Sequence, residues 1–140
     1  MPKKPKKIPL APSGLPFKKP TSDQPRTLSF SFKYLDRSHG KFSYSEKDQK
    51  YFSKLIERLS ALCSLNSMDL LCSRSSSYRC HPIKWEETSE SSFGIPNEEQ
   101  LVDTPYQFEV SANSYGRIHG FFIQEVFHIV WMDPDHRLYP

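Results

Sequence analysis

The spacing of apolar residues divides the last third of the chain into three strands. The segments YQFEVSA (106–112), GRIHGFFI (116–123) and EVFHIVWMD (125–133) are rich in β-branched and aromatic residues, as strands commonly are. The last two segments meet at Gln124–Glu125, which predicts a tight hairpin. Because both are apolar at most positions, both faces should be covered, and we expect them to be central strands.

The first half of the chain combines one alternating segment with helical spacing. In TLSFSFKYL (27–35) large apolar residues alternate with smaller or polar ones, which predicts a half-buried strand. Over residues 46–63 apolar residues recur every three or four positions. This spacing predicts an amphipathic helix capped by Ser45. A shorter helix is predicted through MDLLC, capped by Asn66 or Ser67.

Two further segments complete the predicted fold. RCHPIKW (79–85) is a candidate short strand, and Pro82 places it at an edge or a bulge. The acidic segment 86–105 contains Gly94, Pro96 and Pro105 and is predicted to be a long loop. The element order therefore predicts an α+β fold. An antiparallel sheet of about four strands should carry one or two helices from the N-terminal half on one face.

Charge separates the first 26 residues from the rest. They hold seven Lys/Arg against one acid, and seven of the 12 prolines. Proline at this density opposes helices and sheet ladders, so we expect a disordered basic Pro/Lys-rich tail over residues 1–26. Residues 27–140 are predicted to form a single domain. The tail either strengthens contact with RNA through counterion release or only solubilises the chain.

The remaining composition excludes several classes of protein. No apolar stretch follows the basic residues as in a secretory signal, and no run of 18 apolar residues predicts a membrane span. The three cysteines (Cys63, Cys72 and Cys80) lack CxxC spacing, which is consistent with reduced thiols. We therefore expect a cytoplasmic protein with no membrane partner and no cofactor.

Polar residues interrupt the apolar strands in a pattern that indicates a site. Side chains alternate along a strand, so Arg117, His119 and Phe121 should share one face. A carboxylate, imidazoles, guanidiniums and a phenol then gather at one edge of the sheet. The candidate catalytic residues are Glu109, Arg117, His119, His136 and Tyr139, and the candidate substrate-binding residues are Arg79, Lys84 and Arg137.

These residue types suit RNA cleavage without a metal. A base removes the proton of the 2′-hydroxyl, which attacks the adjacent phosphorus, and an acid protonates the departing 5′-oxygen. Histidine is the natural acid or base near neutral pH. Arginine offers paired donors to phosphoryl oxygens and stabilises their charge.

Structural roles compete with each of these assignments. His128 lies between Phe127 and Ile129 and is predicted to be a packed core histidine with one satisfied nitrogen. Arg117 is alternatively a cross-strand partner of Glu109. Asp133 and Asp135 alternatively only cap the turn that follows the last strand. A zinc site is a further alternative, in which Cys80 and His81 join His119 or His136 as ligands.

With these stretches in view, the chain resembles the RelE/ParE superfamily of small bacterial toxins, in particular the YoeB-like mRNA endoribonucleases. The corresponding stretches are YGRIHGFFI (115–123), EVFHIVWMD (125–133) and DHRLYP (135–140). The resemblance implies a strand, a helical hairpin and then antiparallel strands.

The resemblance also implies roles and partners. Arg117 matches the family's phosphate-binding arginine, His136 and Tyr139 match its terminal acid and stacking residues, and Glu109 is the candidate carboxylate base. It implies an endoribonuclease toxin that acts on mRNA, with the ribosome and an antitoxin protein as possible partners.

A binding module without enzymatic activity is the alternative function. A sheet with an aromatic face stacks single-stranded bases, or its edge docks a peptide strand. The aromatic residues in question are Phe121, Phe127, Trp131 and Tyr139.

Overall fold

The computed structural model describes residues 26–72, 78–112 and 114–140. The predicted disordered tail lies outside these residues, apart from Arg26. No helix within the described ranges is long and apolar enough to cross a membrane.

Within the described ranges, a five-stranded sheet forms the centre of the fold. Its strands are β1 (Ser29–Ser31), β2 (His81–Pro82), β3 (Pro105–Ser111), β4 (Ser114–Ile123) and β5 (Val126–Asp133). Their spatial order is β1-β5-β4-β3-β2, and β1 runs parallel to β5 whereas the other pairs are antiparallel. The α+β class is confirmed. The prediction of an antiparallel sheet of about four strands was wrong, because the direction of β1 depends on a distant partner that no local pattern encodes.

β1 is also shorter than the predicted strand over 27–35. The chain leaves the sheet after Ser31, whose hydroxyl accepts a hydrogen bond from the Lys33 N–H at 3.2 Å. A turn follows, in which the Leu35 N–H donates to the Phe32 carbonyl at 3.1 Å. Local turn bonds therefore replace ladder bonds at this point.

β4 and β5 form the predicted hairpin and occupy inner positions of the sheet. The turn lies at Gln124–Glu125, with Gln124 in the left-handed region at φ 54°. The register shifts between His119 and Gly120, so that His119 faces Trp131 while Gly120 faces Ile129. This bulge places Val130 and Trp131 on the same side of the sheet, where both are buried in one core.

Three helices accompany the sheet in the part of the chain that is described: α1 (Gln49–Leu62), α2 (Ser67–Cys72) and α3 (Glu98–Leu101). α1 begins later than predicted, because Asp48 rather than Ser45 caps it by accepting from the Tyr51 N–H at 3.0 Å. Its buried face is narrower than the apolar pattern indicated, since Ile56 is 63% exposed. The predicted long loop at 86–105 contains α3 and part of a 3-10 turn, Trp85–Glu87.

Two hydrophobic cores cover the two faces of the sheet. The helix-side core joins Leu55, Leu59 and Leu62 of α1 to apolar residues of the sheet, including Phe108, Ile118 and Ile129. The far-side core packs loop residues against the opposite face, and its buried members are Phe42, Ile83, Phe93, Phe121, Val130, Trp131 and Leu138. The expectation that the central strands are covered on both faces is confirmed.

Candidate functional site

Polar side chains gather where β2, β3 and β4 adjoin, on the face away from α1. In the ladder, His81 lies opposite Gln107, and Glu109 lies opposite Arg117. The alternate residues Phe108 and Ile118 point into the helix-side core, so Gln107, Glu109 and Arg117 point the other way. We call Arg79, His81, Glu109, Arg117 and Tyr139 the edge cluster.

Ion pairs and hydrogen bonds hold the two arginines of the edge cluster. Arg79 Nη1 lies 3.5 Å from Glu109 Oε1, and the carboxylate is nearly covered at 3% exposure while Arg79 is exposed. Arg117 Nη1 donates to Gln107 Oε1 at 3.1 Å, and its guanidinium carbon lies 5.9 Å from the centre of the Tyr139 ring. Both guanidiniums are thus oriented by neighbouring acceptors, as phosphate-binding arginines require.

His81 is the only imidazole of the edge cluster and is exposed. Partial burial lowers the pKa of His81, and the positive charges of Arg117 and Arg79 lower it further, against the opposing effect of Glu109. The imidazole is therefore neutral at pH 7 and able to accept a proton. From the sequence, His81 was a candidate only for a zinc site; its position beside Arg79 on an edge strand was the available signal.

A backbone hydrogen bond holds the hydroxyl of Tyr139. The Lys84 N–H donates to the Tyr139 hydroxyl oxygen at 3.1 Å, which leaves the phenolic proton available for another acceptor. The Lys84 side chain, predicted to bind substrate, is exposed nearby.

His119 and Asp133 form a buried pair behind the edge cluster. His119 is 0% exposed, lies close to the rings of Phe42 and Trp131, and directs Nε2 to Asp133 Oδ2 at 3.1 Å. Asp133, 1% exposed, also accepts from the backbone N–H groups of Arg137 (2.8 Å) and Leu138 (3.0 Å). The pair anchors the segment that carries Tyr139, and no substrate reaches His119 in this conformation.

The pKa values of this pair agree with a neutral imidazole beside a charged carboxylate. Burial lowers the pKa of His119, and the hydrogen bond that His119 donates to Asp133 offsets this only in part. Burial alone would raise the pKa of Asp133, but the hydrogen bonds from His119, Arg137 and Leu138 leave it lowered. The proton is accordingly assigned to Nε2 of His119.

Acidification is expected to destabilise the domain through His119. Its pKa is lower in the folded state, so the unfolded chain binds the proton first as the pH falls below about 6.5. The contribution is fully present above that value and is lost on acidification, with a slope of at most about 1.4 kcal/mol per pH unit for one proton. Urea unfolding at pH 7.5 and 5.5 measures this slope.

The matched variant is His119→Gln, in which the slope between pH 7.5 and 5.5 should become shallower. It should not vanish, because the lowered pKa values of His81 and His128 act in the same direction. Equal slopes in the wild-type protein and in His119→Gln would show that protonation of His119 does not cause the pH dependence of stability.

His136 and Arg137 lie in the turn after β5. The His136 N–H donates to the Asp133 carbonyl at 3.4 Å, and His136 adopts φ 55°. Both side chains are exposed. The charge of His136 lowers the pKa of His119. Arg137 contacts Asp133 through its backbone N–H. The structure thus pairs Arg79 with Glu109 and places Arg117 against Tyr139, whereas His136 and Arg137 lie in the turn after β5, outside these contacts.

The alternative zinc site is not assembled. Cys80 packs against the helix-side core, and burial raises its pKa to about 12, whereas its neighbour His81 lies on the opposite face. Among the described residues, no group of three or more His, Cys, Asp or Glu side chains is placed to hold a metal ion. All three cysteines are free.

Three of the four aromatic residues proposed for base stacking are buried. Phe127 lies in the helix-side core, while Phe121 and Trp131 lie in the far-side core. His128 stacks on Phe121 with ring centres 5.2 Å apart, and its Nδ1 has no hydrogen-bond partner within the described part. Of the proposed stacking residues, Tyr139 remains partly accessible.

Comparison of the chain with protein-family models, with curated proteins and with solved structures gave no match. The edge cluster is therefore interpreted from its own chemistry.

Proposed function

We propose that the protein is a metal-independent endoribonuclease whose reaction takes place at the edge cluster. The observation that carries the proposal is the combination of a neutral, exposed imidazole, His81, with two oriented guanidiniums, Arg79 and Arg117. A proton acceptor beside paired cations is the minimum requirement for transferring a phosphoryl group between oxygens.

Each member of the edge cluster has one step in the proposed reaction. His81 accepts the proton of the 2′-hydroxyl as that oxygen bonds to phosphorus. The bond from phosphorus to the 5′-oxygen breaks, and the leaving oxygen takes the phenolic proton of Tyr139. Arg79 and Arg117 stabilise the charge on the phosphoryl oxygens. The products are a 2′,3′-cyclic phosphate and a 5′-hydroxyl. The His81 imidazolium then gives its proton to water, and the Tyr139 phenolate takes one from water.

Exposure favours one of the candidate bases over the others. Glu109 is 3% exposed and paired with Arg79, so its role in the proposal is to position that arginine. His119 is covered and bonded to Asp133, so it positions the segment of Tyr139. His81, which is exposed, is left as the base.

The test is cleavage of a labelled RNA oligonucleotide by the full chain in the presence of EDTA. His81→Gln and Arg117→Ala should each lower the cleavage rate about a hundredfold, by removing a proton acceptor and a charge-stabilising donor. The labelled product should end in a 2′,3′-cyclic phosphate. The rate should fall on acidification, at a pH below the ordinary histidine pKa of about 6.5, because the pKa of His81 is lowered and the imidazole is protonated only there.

Arg37→Ala is the matched control, since Arg37 is exposed in the loop after β1, at the opposite edge of the sheet. It should cleave at the wild-type rate. His136→Gln separates the two proton-transfer assignments, because a loss comparable to that of His81→Gln would replace Tyr139 by His136 as the acid. Salt-sensitive RNA binding without products would instead support the binding module and reject the enzyme.

The biological role in the proposal is that of a toxin acting on mRNA, and it rests on the resemblance to the RelE/ParE superfamily. The ribosome and an antitoxin protein are its proposed partners, and the basic residues 1–26 would add affinity for RNA. Induced expression in bacteria should arrest growth, and Arg117→Ala should relieve the arrest. Arrest by the inactive variant would contradict the toxin role.

A further inference from the structure

A cleft of about 370 Å³ lies beside the start of α1, on the side of the sheet that carries the helices. Its lining residues are Glu46, Lys47, Asp48, Tyr51, Tyr115 and Pro134. The cleft and the edge cluster lie on opposite faces of the sheet but near the same strand ends, since Tyr115 lies two residues before Arg117 and Pro134 follows Asp133, which faces Arg117 across the ladder. An RNA strand that occupies both therefore passes around the ends of β4 and β5. This volume lies within the range of small-molecule sites.

The Tyr51 side chain in this cleft has an unused hydrogen-bonding group. Tyr51 is 2% exposed, and its hydroxyl has no hydrogen-bond partner among the described residues. Burial raises the pKa of Tyr51, and the charges of Asp133 and Asp135 raise it further, so the phenol keeps its proton. An unpartnered buried donor is unusual in a folded protein and is explained if a ligand supplies the acceptor.

Tyr115 forms a second aromatic wall and is held in a strained conformation. Its φ is 64°, a region that large side chains rarely adopt. The next residue, Gly116, lies against the backbone of Asp133 and Pro134, which fixes the path of the chain. The Tyr51 and Tyr115 ring centres are 6.4 Å apart. Strain of this kind is concentrated at ligand sites.

The charges around the cleft favour an amino group over a phosphate. Lys47, its only lining cation in the described chain, is paired with Asp135 at 2.7 Å. Asp48 caps α1, and Glu46 is exposed beside it. An anionic group would meet these carboxylates, whereas a ring with an exocyclic amino group would donate to them.

We infer that the cleft binds an amino-bearing nucleobase (adenine, cytosine or guanine) of the RNA whose phosphodiester lies at the edge cluster. The Tyr51 hydroxyl donates to an acceptor on the ring, and the Glu46 carboxylate accepts from the amino group. Uracil, which presents carbonyl oxygens in place of the amino group, is disfavoured. This inference rests on the proposed function and adds to it a base preference.

Protein-observed NMR titration of the full chain with adenosine, cytidine, guanosine and uridine tests the cleft without any cleavage. The amino-bearing nucleosides should shift the resonances of Tyr51 and Tyr115 and bind more tightly than uridine. Tyr51→Phe removes the hydroxyl alone and should weaken adenosine binding about threefold to tenfold. Glu46→Gln should reduce the preference for adenosine over uridine.

Tyr106→Phe is the matched control, since Tyr106 is partly buried against Phe122 outside the cleft. Equal adenosine affinity in Tyr51→Phe and Tyr106→Phe would overturn the inference, as would nucleosides that leave the Tyr51 and Tyr115 resonances unchanged. Because Phe retains the ring, Tyr51→Phe is expected to fold.

Failure of the cleft and failure of the nuclease are distinguishable. Cleavage at all four bases alike, with no nucleoside binding, would reject the cleft and retain the nuclease. Nucleoside binding without RNA cleavage would retain a base-binding cleft and reject the nuclease, and with it the RNA substrate assigned to the cleft.

Discussion

Replacing Gly116 by alanine is expected to destabilise the domain by about 3–5 kcal/mol. A Cβ at this position would lie 2.0 Å from the Asp133 carbonyl oxygen and 2.5 Å from the Pro134 Cα. These are backbone atoms, so the strands must separate to admit the methyl group. Gly116 also adopts φ 74°, which costs a residue with a Cβ about 1–2 kcal/mol more.

Gly94 provides the matched control for this substitution. It has nearly the same backbone conformation, at φ 75°, but nothing lies within 4 Å of an added Cβ. Gly94→Ala should therefore cost about 1–2 kcal/mol, from conformation alone. Urea unfolding of the two variants separates the steric cost from the conformational one. Equal losses would mean that the close approach of β4 to the end of β5 is not maintained in solution.

Asp133→Ala is expected to cost about 4 kcal/mol of stability and to abolish the proposed RNA cleavage. The substitution leaves Nε2 of His119 and the N–H of Leu138 buried without acceptors, and each such group costs free energy. The segment after β5 would lose its anchor, and Tyr139 would leave the edge cluster. Chemical unfolding measures the first effect, and the oligonucleotide assay measures the second.

Asp135→Ala is the control for this prediction. Asp135 is exposed and its ion pair with Lys47 lies at the surface, so its removal should change stability by no more than about 1 kcal/mol. A similar loss in both variants would show that the buried hydrogen bonds of Asp133 contribute little. An Asp133→Ala variant that is folded and fully active would contradict the anchoring role of Asp133.

Local periodicity was sufficient to predict the elements whose side chains face one core. The hairpin of β4 and β5 was located to within two residues, and α1 was recognised from the spacing of Leu55, Leu59 and Leu62. β1 was predicted as a strand, but its parallel partner was not, because pairing with β5 is decided by packing across the whole domain. The cap of α1 was misplaced because both Ser45 and Asp48 have capping side chains.

The candidate site was harder to predict, because burial depends on residues far apart in the chain. Alternation correctly placed Arg117 and His119 on one face. It gave no indication that Phe42, from a distant loop, would cover His119. The exposed imidazole of the edge cluster is instead His81, whose two-residue strand carries too little pattern to reveal its neighbours.

The parallel pairing of β1 with β5 has a consequence for biosynthesis. Translation delivers β1 long before β5, yet Ser29 faces Val126 and the Phe30 ring packs on Phe127. Leu28 and Phe30 of the nascent chain therefore lack their β5 neighbours until almost the whole domain has left the exit tunnel. The native sheet, and any activity that depends on it, should arise only after β5 has been synthesised.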